Sequence, residues 1–195
     1  AIGSGSQNAL LNLQKTFPKM QIKRLDSDIA QKENELNVIL NDFREKKIDL
    51  LVGTQILSKG HDFSEVTLIC ITDIDKMLRV PDFRAQEKAF QIIVQSSGRA
   101  GRGEKEGEVI LTTSNPEEEV LEYAINHDFD GFAKSHLNFR KFFNYPPFKK
   151  IMLIEFSSQN FDLLESESLN LKIEIRKIYA RLKADYMKEY FTVLG

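Results

Sequence analysis

The sequence predicts an α/β fold in which a parallel sheet is doubly wound with helices on both faces, over residues 1–115. First, short apolar, β-branched runs alternate with longer amphipathic patterns, which is typical of right-handed βαβ units. Second, residues 66–72 are almost continuously apolar, as in a strand that is covered on both faces of a parallel sheet. Third, 42% apolar and 29% charged residues are ordinary for a globular chain with a sizeable core.

Two helices and two strands are predicted in the first 54 residues. An apolar stripe predicts a helix that Pro18 closes, and a strand follows at 22–25. The polar residues 26–28 offer carboxylates and a hydroxyl that can cap a second helix. A strand is predicted at 49–54. The apolar stripe of the second helix consists of Leu36, Ile39, Leu40 and Phe43.

The pattern of alternating elements continues through the middle of the chain. After the apolar strand at 66–72, a helical period covers 83–95 and a strand is predicted at 108–113, with a helix starting near Pro116. Residues 116–145 are predicted to be helical up to Tyr145-Pro146-Pro147-Phe148, because neither proline can lie inside a helix.

The last part of the chain is predicted to begin another domain. A strand at 151–156 is followed by a long helix whose stripe reaches Tyr186. We therefore predict a lobe at 1–115, a helical linker at 116–147 and a truncated α+β domain at 148–195. The chain lacks an initial Met and ends as a new strand begins near Phe191, so we interpret it as a fragment.

Charge and cysteine content exclude several classes of protein. No apolar run approaches the roughly 20 residues that cross a bilayer, and no signal sequence is visible, so neither membrane insertion nor secretion is expected. The single Cys70 excludes an internal disulfide, favours a reducing, cytoplasmic location, and is expected in the core. With 27 basic and 29 acidic residues, any nucleic-acid site must be local.

Two arginines stand three positions apart in the glycine-rich segment 95–103. Arg99 and Arg102 can direct two permanently charged guanidinium groups toward one anion, and the small residues allow the backbone to approach it closely. The alternative is a flexible loop between a helix and a strand, with both arginines in solvent.

A second candidate segment, 53–63, begins where the predicted strand at 49–54 ends. Parallel α/β sheets bind ligands at this edge, so Thr54, Ser58 and nearby backbone N–H groups could hold a phosphate. Asp62 could accept a proton from a hydroxyl. The alternative is an ordinary loop in which Asp62 caps a helix.

These segments occur in an order that is similar to a known family. Residues 3–5, 53–63 and 95–102 together resemble the second RecA-like lobe of superfamily 2 helicases, a P-loop NTPase-type fold. More narrowly, the chain resembles the PriA family of bacterial replication-restart helicases. That resemblance is carried by Leu25-Asp26-Ser27-Asp28, Ser58-Lys59-Gly60-His61-Asp62-Phe63, Asp73-Ile74-Asp75, Asp82-Phe83-Arg84 and Tyr145-Pro146-Pro147-Phe148.

The resemblance implies an ATP-dependent, 3′-to-5′ DNA helicase that acts in replication restart and primosome assembly. Thr54 and Ser58 would then face DNA phosphate, and Gly60 and Asp62 the nucleotide. Ser4 and Gly5 would offer backbone N–H groups to DNA at a helix N-terminus. The arginine fingers would be Arg99 and Arg102, in a catalytic motif with Gln95. The alternative function is a non-enzymatic module that binds nucleic acid or protein.

Some parts that such a helicase needs are absent from this sequence. There is no Walker phosphate loop and no Asp-Glu-x-His pair, so ATP and Mg²⁺ would be bound mainly by a first lobe outside this chain. The chain alone is therefore predicted to be inactive. The resemblance also implies that the full-length protein binds zinc, for which this chain has no ligands. The partners that it implies are the first lobe, forked or single-stranded DNA, other primosome proteins and single-strand-binding protein.

The sequence departs from the family pattern at two places. Ser96-Ser97 stands where the family usually has Val-Ala, and the loop 76–81 carries Arg79 and Pro81 where small or apolar residues are more usual. The three histidines are too scattered to predict a metal site. Asp73 and Asp75 follow an apolar strand and could suggest a Mg²⁺ pair, although in a lobe of this kind such residues more usually have a structural role or contact the other lobe.

Aromatic and basic residues alternate between positions 131 and 154, where no acidic residue occurs. This pattern is typical of a single-strand DNA groove, with Lys149 and Lys150 as contacts. Aromatic residues at helical spacing are also typical of a core, and we favour a structural hinge for them. The aromatic residues are Phe132, Phe139, Phe142, Phe143, Tyr145 and Phe148.

Overall fold

The computed structural model describes residues 4–25, 29, 32–53, 65–98 and 107–186. The chain divides into two compact units, Ala1–Phe148 and Lys149–Gly195. The helices and strands are, in chain order, α1 Ser4–Thr16, β1 Ile22–Leu25, α2 Glu33–Arg44, β2 Leu50–Gly53, β3 Leu68–Ile71, α3 Ile74–Leu78, α4 Ala85–Ser97, β4 Glu108–Leu111, α5 Glu119–Ile125, α6 Phe129–Phe142 and α7 Phe161–Tyr186.

The strands pair in parallel, which confirms the predicted α/β class. β1 pairs with β2 in a register that places Leu25 opposite Gly53, and β3 pairs with β4 so that Ile71 lies opposite Leu111. Among the described residues these pairs form two separate two-stranded sheets. Because parallel strands need a crossover connection, helices separate the two strands of each pair along the chain.

The strand β3 is less buried than its apolar sequence predicted. Leu68 is 51% exposed and Cys70 is also exposed, whereas Ile69 and Ile71 are half-buried. Side chains alternate between the two faces of a strand, and here only the face with Ile71 packs against the core. The predictions that β3 is covered on both faces and that Cys70 lies in the core are therefore wrong.

A core of apolar side chains holds α4, α5 and α6 together. The Phe90 and Phe132 rings stack with their centroids 4.4 Å apart and their planes within 5°. The segment that the sequence predicted as a linker thus packs into the same core as α4, and the predicted domain boundaries stay a prediction. The core residues are Ile74, Ala89, Phe90, Ile93, Val120, Leu121, Ala124 and Phe132.

The amphipathic helices α1 and α2 occupy the predicted positions. α2 begins at Glu33, and its N-cap residue Lys32 makes no side-chain capping hydrogen bond. Residues 26–28, predicted to cap this helix, lie outside the described part of the chain. Leu40 on α2 is buried, as are Ile22 and Leu25 on β1. The apolar stripe of α2 therefore provides one buried side chain, Leu40, and three that are half-buried.

The helix α6 begins with a capped turn and ends before the two prolines. The Asp128 carboxylate accepts a hydrogen bond from the Gly131 backbone N–H at 2.9 Å, which caps the helix. A Cβ at Gly131 would collide with that carboxylate and lie 2.8 Å from the Tyr123 ring. The close approach accounts for a glycine inside the first turn.

The second unit contains one predicted element and lacks another. Its helix α7 begins at Phe161 and covers the long amphipathic pattern. Residues 151–156 are exposed and form no strand. A strand needs a neighbour for its hydrogen bonds, and within residues 149–186 the only regular element is α7. The strand prediction is therefore wrong. None of the helices in the described part of the chain is long and apolar enough to cross a membrane.

Candidate nucleotide and DNA interface

The candidate segment 53–63 starts at the carboxyl edge of the sheet formed by β1 and β2. Gly53 is the last residue of β2 and lies opposite Leu25, the last paired residue of β1. The segments that follow both strands thus leave the sheet at the same edge, where parallel sheets bind ligands. Four predicted site residues of this segment lie outside the described part of the chain: Thr54, Ser58, Gly60 and Asp62.

The arginine segment, 95–103, begins in the last turn of α4. This helix buries one face, on which Ala89 and Ile93 lie, and exposes Gln95 in its last turn. The Gly98 N–H donates to the Val94 carbonyl at 3.0 Å and closes the helix. Arg99 and Arg102 lie outside the described residues. The arginine segment thus begins inside the last turn of α4, and Arg99 follows Ser97, the last residue of this helix, by two positions.

The unusual Ser96-Ser97 pair is accommodated in the last turn of α4. Ser96 is buried, and the Ser97 hydroxyl donates to the backbone carbonyls of Ile93 and Val94 at 2.9 and 3.2 Å. Bonding back to the preceding turn satisfies a hydroxyl inside a helix. The departure from the family pattern therefore leaves α4 intact.

A cluster of charges holds the N-terminus of α4. The Asp82 carboxylate accepts hydrogen bonds from the Arg84 backbone N–H at 2.9 Å, from Arg84 Nε at 3.1 Å and from Lys88 Nζ at 2.7 Å. These donors hold the pKa of Asp82 well below its ordinary value, Arg84 contributing most. The carboxylate therefore stays ionised and fixes the turn that leads into α4.

Two segments that carry the family resemblance contact each other beside α4. The Phe83 ring stacks on Tyr145 with centroids 5.5 Å apart, and the Arg140 guanidinium lies 4.9 Å from the centre of the Phe83 ring. Arg140 also pairs with Glu87 on α4 and donates to the Pro146 carbonyl at 3.3 Å. The turn after α6 is thereby tied to the start of α4.

Of the two carboxylates after β3, Asp75 has a structural role, whereas Asp73 makes no side-chain capping hydrogen bond. Asp73 is the N-cap residue of α3 in a left-handed conformation, with φ 60°. Asp75 accepts hydrogen bonds from the Thr113 hydroxyl at 2.6 Å, from the Ser114 N–H at 2.8 Å and from the Ser114 hydroxyl. Among the residues that the structure describes, no cluster of three or more His, Cys, Asp or Glu side chains could hold a metal.

We expect Asp75→Asn to destabilise the first unit at neutral pH and to flatten its acid dependence. Hydrogen bonds from Ser114, and then from Thr113, lower the pKa of Asp75 from 3.8 to about 2. A carboxyl group with a lower pKa in the folded state stabilises the fold above its unfolded pKa, and this contribution is lost as the pH falls through the folded value. The difference in melting temperature between wild type and variant should therefore shrink between pH 4 and 2. The control is Asp130→Asn, which changes an exposed carboxylate on α6. If the difference in melting temperature between wild type and Asp75→Asn stayed constant from pH 4 to 2, the role of Asp75 would be contradicted.

The aromatic and basic segment is only partly buried. Phe132 and His136 are buried and their rings stack 5.2 Å apart, and burial lowers the pKa of the His136 imidazole. Phe142, by contrast, is 79% exposed, and Phe139, Phe143 and Phe148 are also exposed. The interpretation of these rings as core is correct for Phe132 and wrong for Phe142.

The remaining predicted DNA contacts lie in different units. The backbone of Ser4 and Gly5 forms the first turn of α1, where N–H groups are not yet used within the helix. Lys149 and Lys150 are exposed at the start of the second unit.

Comparison with known proteins shows which family shares these features. The family model described as "Helicase conserved C-terminal domain" matches residues 4–104. The Replication restart protein PriA of Synechocystis sp. is 39% identical over 152 residues, which cover 78% of this chain and 18% of that protein. The PriA of Bacillus subtilis is 37% identical over 157 residues, covering 80% and 20%, and that of Haemophilus influenzae is 36% identical over 164 residues, covering 84% and 22%. The chain thus spans about a fifth of the length of the curated relatives it matches.

Proposed function

Because the chain belongs to the helicase conserved C-terminal domain family and is similar to the PriA replication restart proteins, we propose that it forms the second RecA-like lobe of an ATP-dependent, 3′-to-5′ DNA helicase. The match over residues 4–104 carries this proposal, since it includes the segment after β2 and the arginine segment after α4. In this role the lobe acts in replication restart and primosome assembly.

The arginine segment supplies positive charge to phosphoryl transfer. This reaction needs little covalent help from the protein and much stabilisation of the charge on the transferred phosphoryl group. Arg99 and Arg102 serve as arginine fingers toward the γ-phosphate, and Gln95 belongs to the same catalytic motif. The packing of α4 supports this assignment, because Asp82 bonds the start of the helix and Phe90 packs its middle into the core, so that the helix from which the segment continues has a defined position.

The segment after β2 links the nucleotide to DNA. Thr54 and Ser58 contact DNA phosphate, and Gly60 and Asp62 contact the nucleotide. The start of α1 adds backbone N–H donors at Ser4 and Gly5, since a helix N-terminus attracts phosphate. Lys149 and Lys150 contribute positive charge to the DNA path.

The nucleotide and its metal are bound mainly by a first lobe outside these 195 residues. This sequence has no Walker loop, and the described residues contain no acidic cluster that fits Mg²⁺, whereas two arginines fit the anionic phosphates. ATP supplies the free energy for the reaction cycle. Closure of the two lobes brings the arginines to the bound ATP. The chain alone is therefore inactive. Any zinc of the full-length protein is bound elsewhere, because the single Cys70 cannot form a cysteine-rich site.

The proposed partners follow from this role. They are forked or single-stranded DNA, the first helicase lobe of the same polypeptide, other primosome proteins and single-strand-binding protein, in the cytoplasm. The similarity to proteins named for replication restart supports this set.

We expect Thr54→Ala in the full-length helicase to uncouple ATP hydrolysis from DNA. A hydroxyl that contacts DNA phosphate positions the strand without reading bases, so its loss lowers DNA-stimulated hydrolysis several-fold and leaves the basal rate nearly unchanged. Phosphate release with and without single-stranded DNA measures both rates, and Thr54→Ser is the control that keeps the hydroxyl. Equal reductions in the two rates would place Thr54 in the nucleotide site instead.

A further inference from the structure

The C-terminal end of α6 presents an aromatic surface to solvent. Phe142, in the last helical position, is 79% exposed, and Phe143 is 52% exposed. Their ring centroids lie 5.0 Å apart at an interplanar angle of 82°. Phe143 in turn packs on Phe139 at 4.8 Å. Phe142 thus contacts the ring of Phe143, which packs on Phe139, and most of the Phe142 side chain stays open to solvent.

Core packing does not account for the position of Phe142. The buried side of α6 carries Phe132 and His136, and six residues along a helix turn the side chain by about 120° away from His136. A phenyl ring that is 79% exposed buries little apolar area in this fold. Large exposed aromatic surfaces commonly mark binding sites.

The exposed charged side chains that follow Asp130 on α6 are positive. Lys134 and Lys141 are exposed and seven residues apart, so they lie on one side of α6, about 10 Å apart along its axis. No ion pair joins either lysine to another residue that the structure describes, whereas Arg140 is engaged with Glu87. No acidic residue occurs from 131 to 154. An anionic polymer that also offers flat rings complements this surface.

We propose that Phe142, Lys134 and Lys141 form a contact site for single-stranded DNA, in which the phenyl ring stacks on a base and the lysines bind phosphates. The inference rests on the proposed helicase function. A single strand fits better than a duplex, because duplex bases are already stacked on each other and expose no faces. Stacking on a phenyl ring does not depend on base identity, so the site is independent of sequence.

The experiment uses the absence of tryptophan from this chain. Phe142→Trp places a single indole at the proposed site, and Phe129→Trp, at the other end of α6 where the ring is 65% exposed, is the matched control. We expect oligothymidylate to quench the fluorescence of Phe142→Trp to saturation, with weaker quenching at higher salt, and to leave Phe129→Trp nearly unchanged. A duplex of the same length should quench less.

A binding measurement with the full-length helicase complements the fluorescence. Phe142→Ala should weaken oligothymidylate binding on the order of tenfold, Phe142→Trp should retain it, and Lys134→Glu with Lys141→Glu should flatten the salt dependence. Unchanged affinity of Phe142→Ala for oligothymidylate would overturn the inference. A lowered melting temperature with normal DNA affinity would also overturn it, because it would indicate that the ring makes a contact within the protein. The Arg99 and Arg102 variants test the proposed function separately, because their loss of ATP turnover does not depend on Phe142. Normal ATP turnover in those variants would overturn the proposed function.

Discussion

Replacing Arg99 or Arg102 with alanine in the full-length protein is expected to lower ATP turnover on the order of 10³-fold, with DNA binding nearly intact. An arginine finger stabilises the charge that develops on the transferred phosphoryl group, so its removal affects the transition state more than ground-state binding. Lysine at either position should restore little activity, because an ammonium group cannot reproduce the planar, forked contact of a guanidinium group.

The measurement is the steady-state rate of phosphate release at saturating ATP and single-stranded DNA. Arg176→Ala, which removes an exposed arginine from α7, is the control for loss of positive charge as such. Near-normal turnover in both finger variants would show that the arginine segment has only a structural role.

Phe132→Ala is expected to destabilise the first unit by about 3–5 kcal/mol, the usual cost of truncating a buried phenylalanine. The Phe132 ring is 6% exposed, stacks on Phe90 and His136, and meets Tyr123 edge-on at 6.3 Å. Truncation therefore leaves a cavity between α4, α5 and α6 and removes three aromatic contacts.

Denaturant unfolding followed by circular dichroism measures this loss of stability. Phe142→Ala on the same helix is the control, and its free energy of unfolding should stay within about 0.5 kcal/mol of wild type, because its ring is exposed. A loss below about 1 kcal/mol for Phe132→Ala would mean that the core described here does not determine stability.

Elements whose signals are local were predicted well from the sequence. The strand at 22–25 matches β1, and the apolar stripe at 36–43 lies within α2, because strand and helix periods are properties of neighbouring residues. The predictions that were wrong concern features that depend on packing neighbours distant along the chain. Cys70 is exposed because only one face of β3 is covered, and residues 151–156 form no strand because none lies beside them in the described residues.

The candidate site shows the same division between local and distant signals. The arginine segment at 95–103 can be proposed from the sequence because its residues are contiguous, and its role stays a prediction. The contacts that hold α4 join residues far apart, such as Glu87 and Arg140, 53 positions from each other, and no sequence spacing indicates them. Phe142 and Phe132 share one helical pattern, and only the structure shows that one ring is exposed and the other buried.

Strand separation by the full-length protein tests the central claim most directly. The substrate is a partial duplex with a single-stranded 3′ tail, compared with the same duplex carrying a 5′ tail. We predict ATP-dependent unwinding of the 3′-tailed substrate by the wild type, and none by the Arg99→Ala, Arg102→Ala double variant, although the variant still binds DNA. Binding of both substrates by the wild type without ATP-dependent unwinding would contradict the helicase function and favour a non-enzymatic binding module.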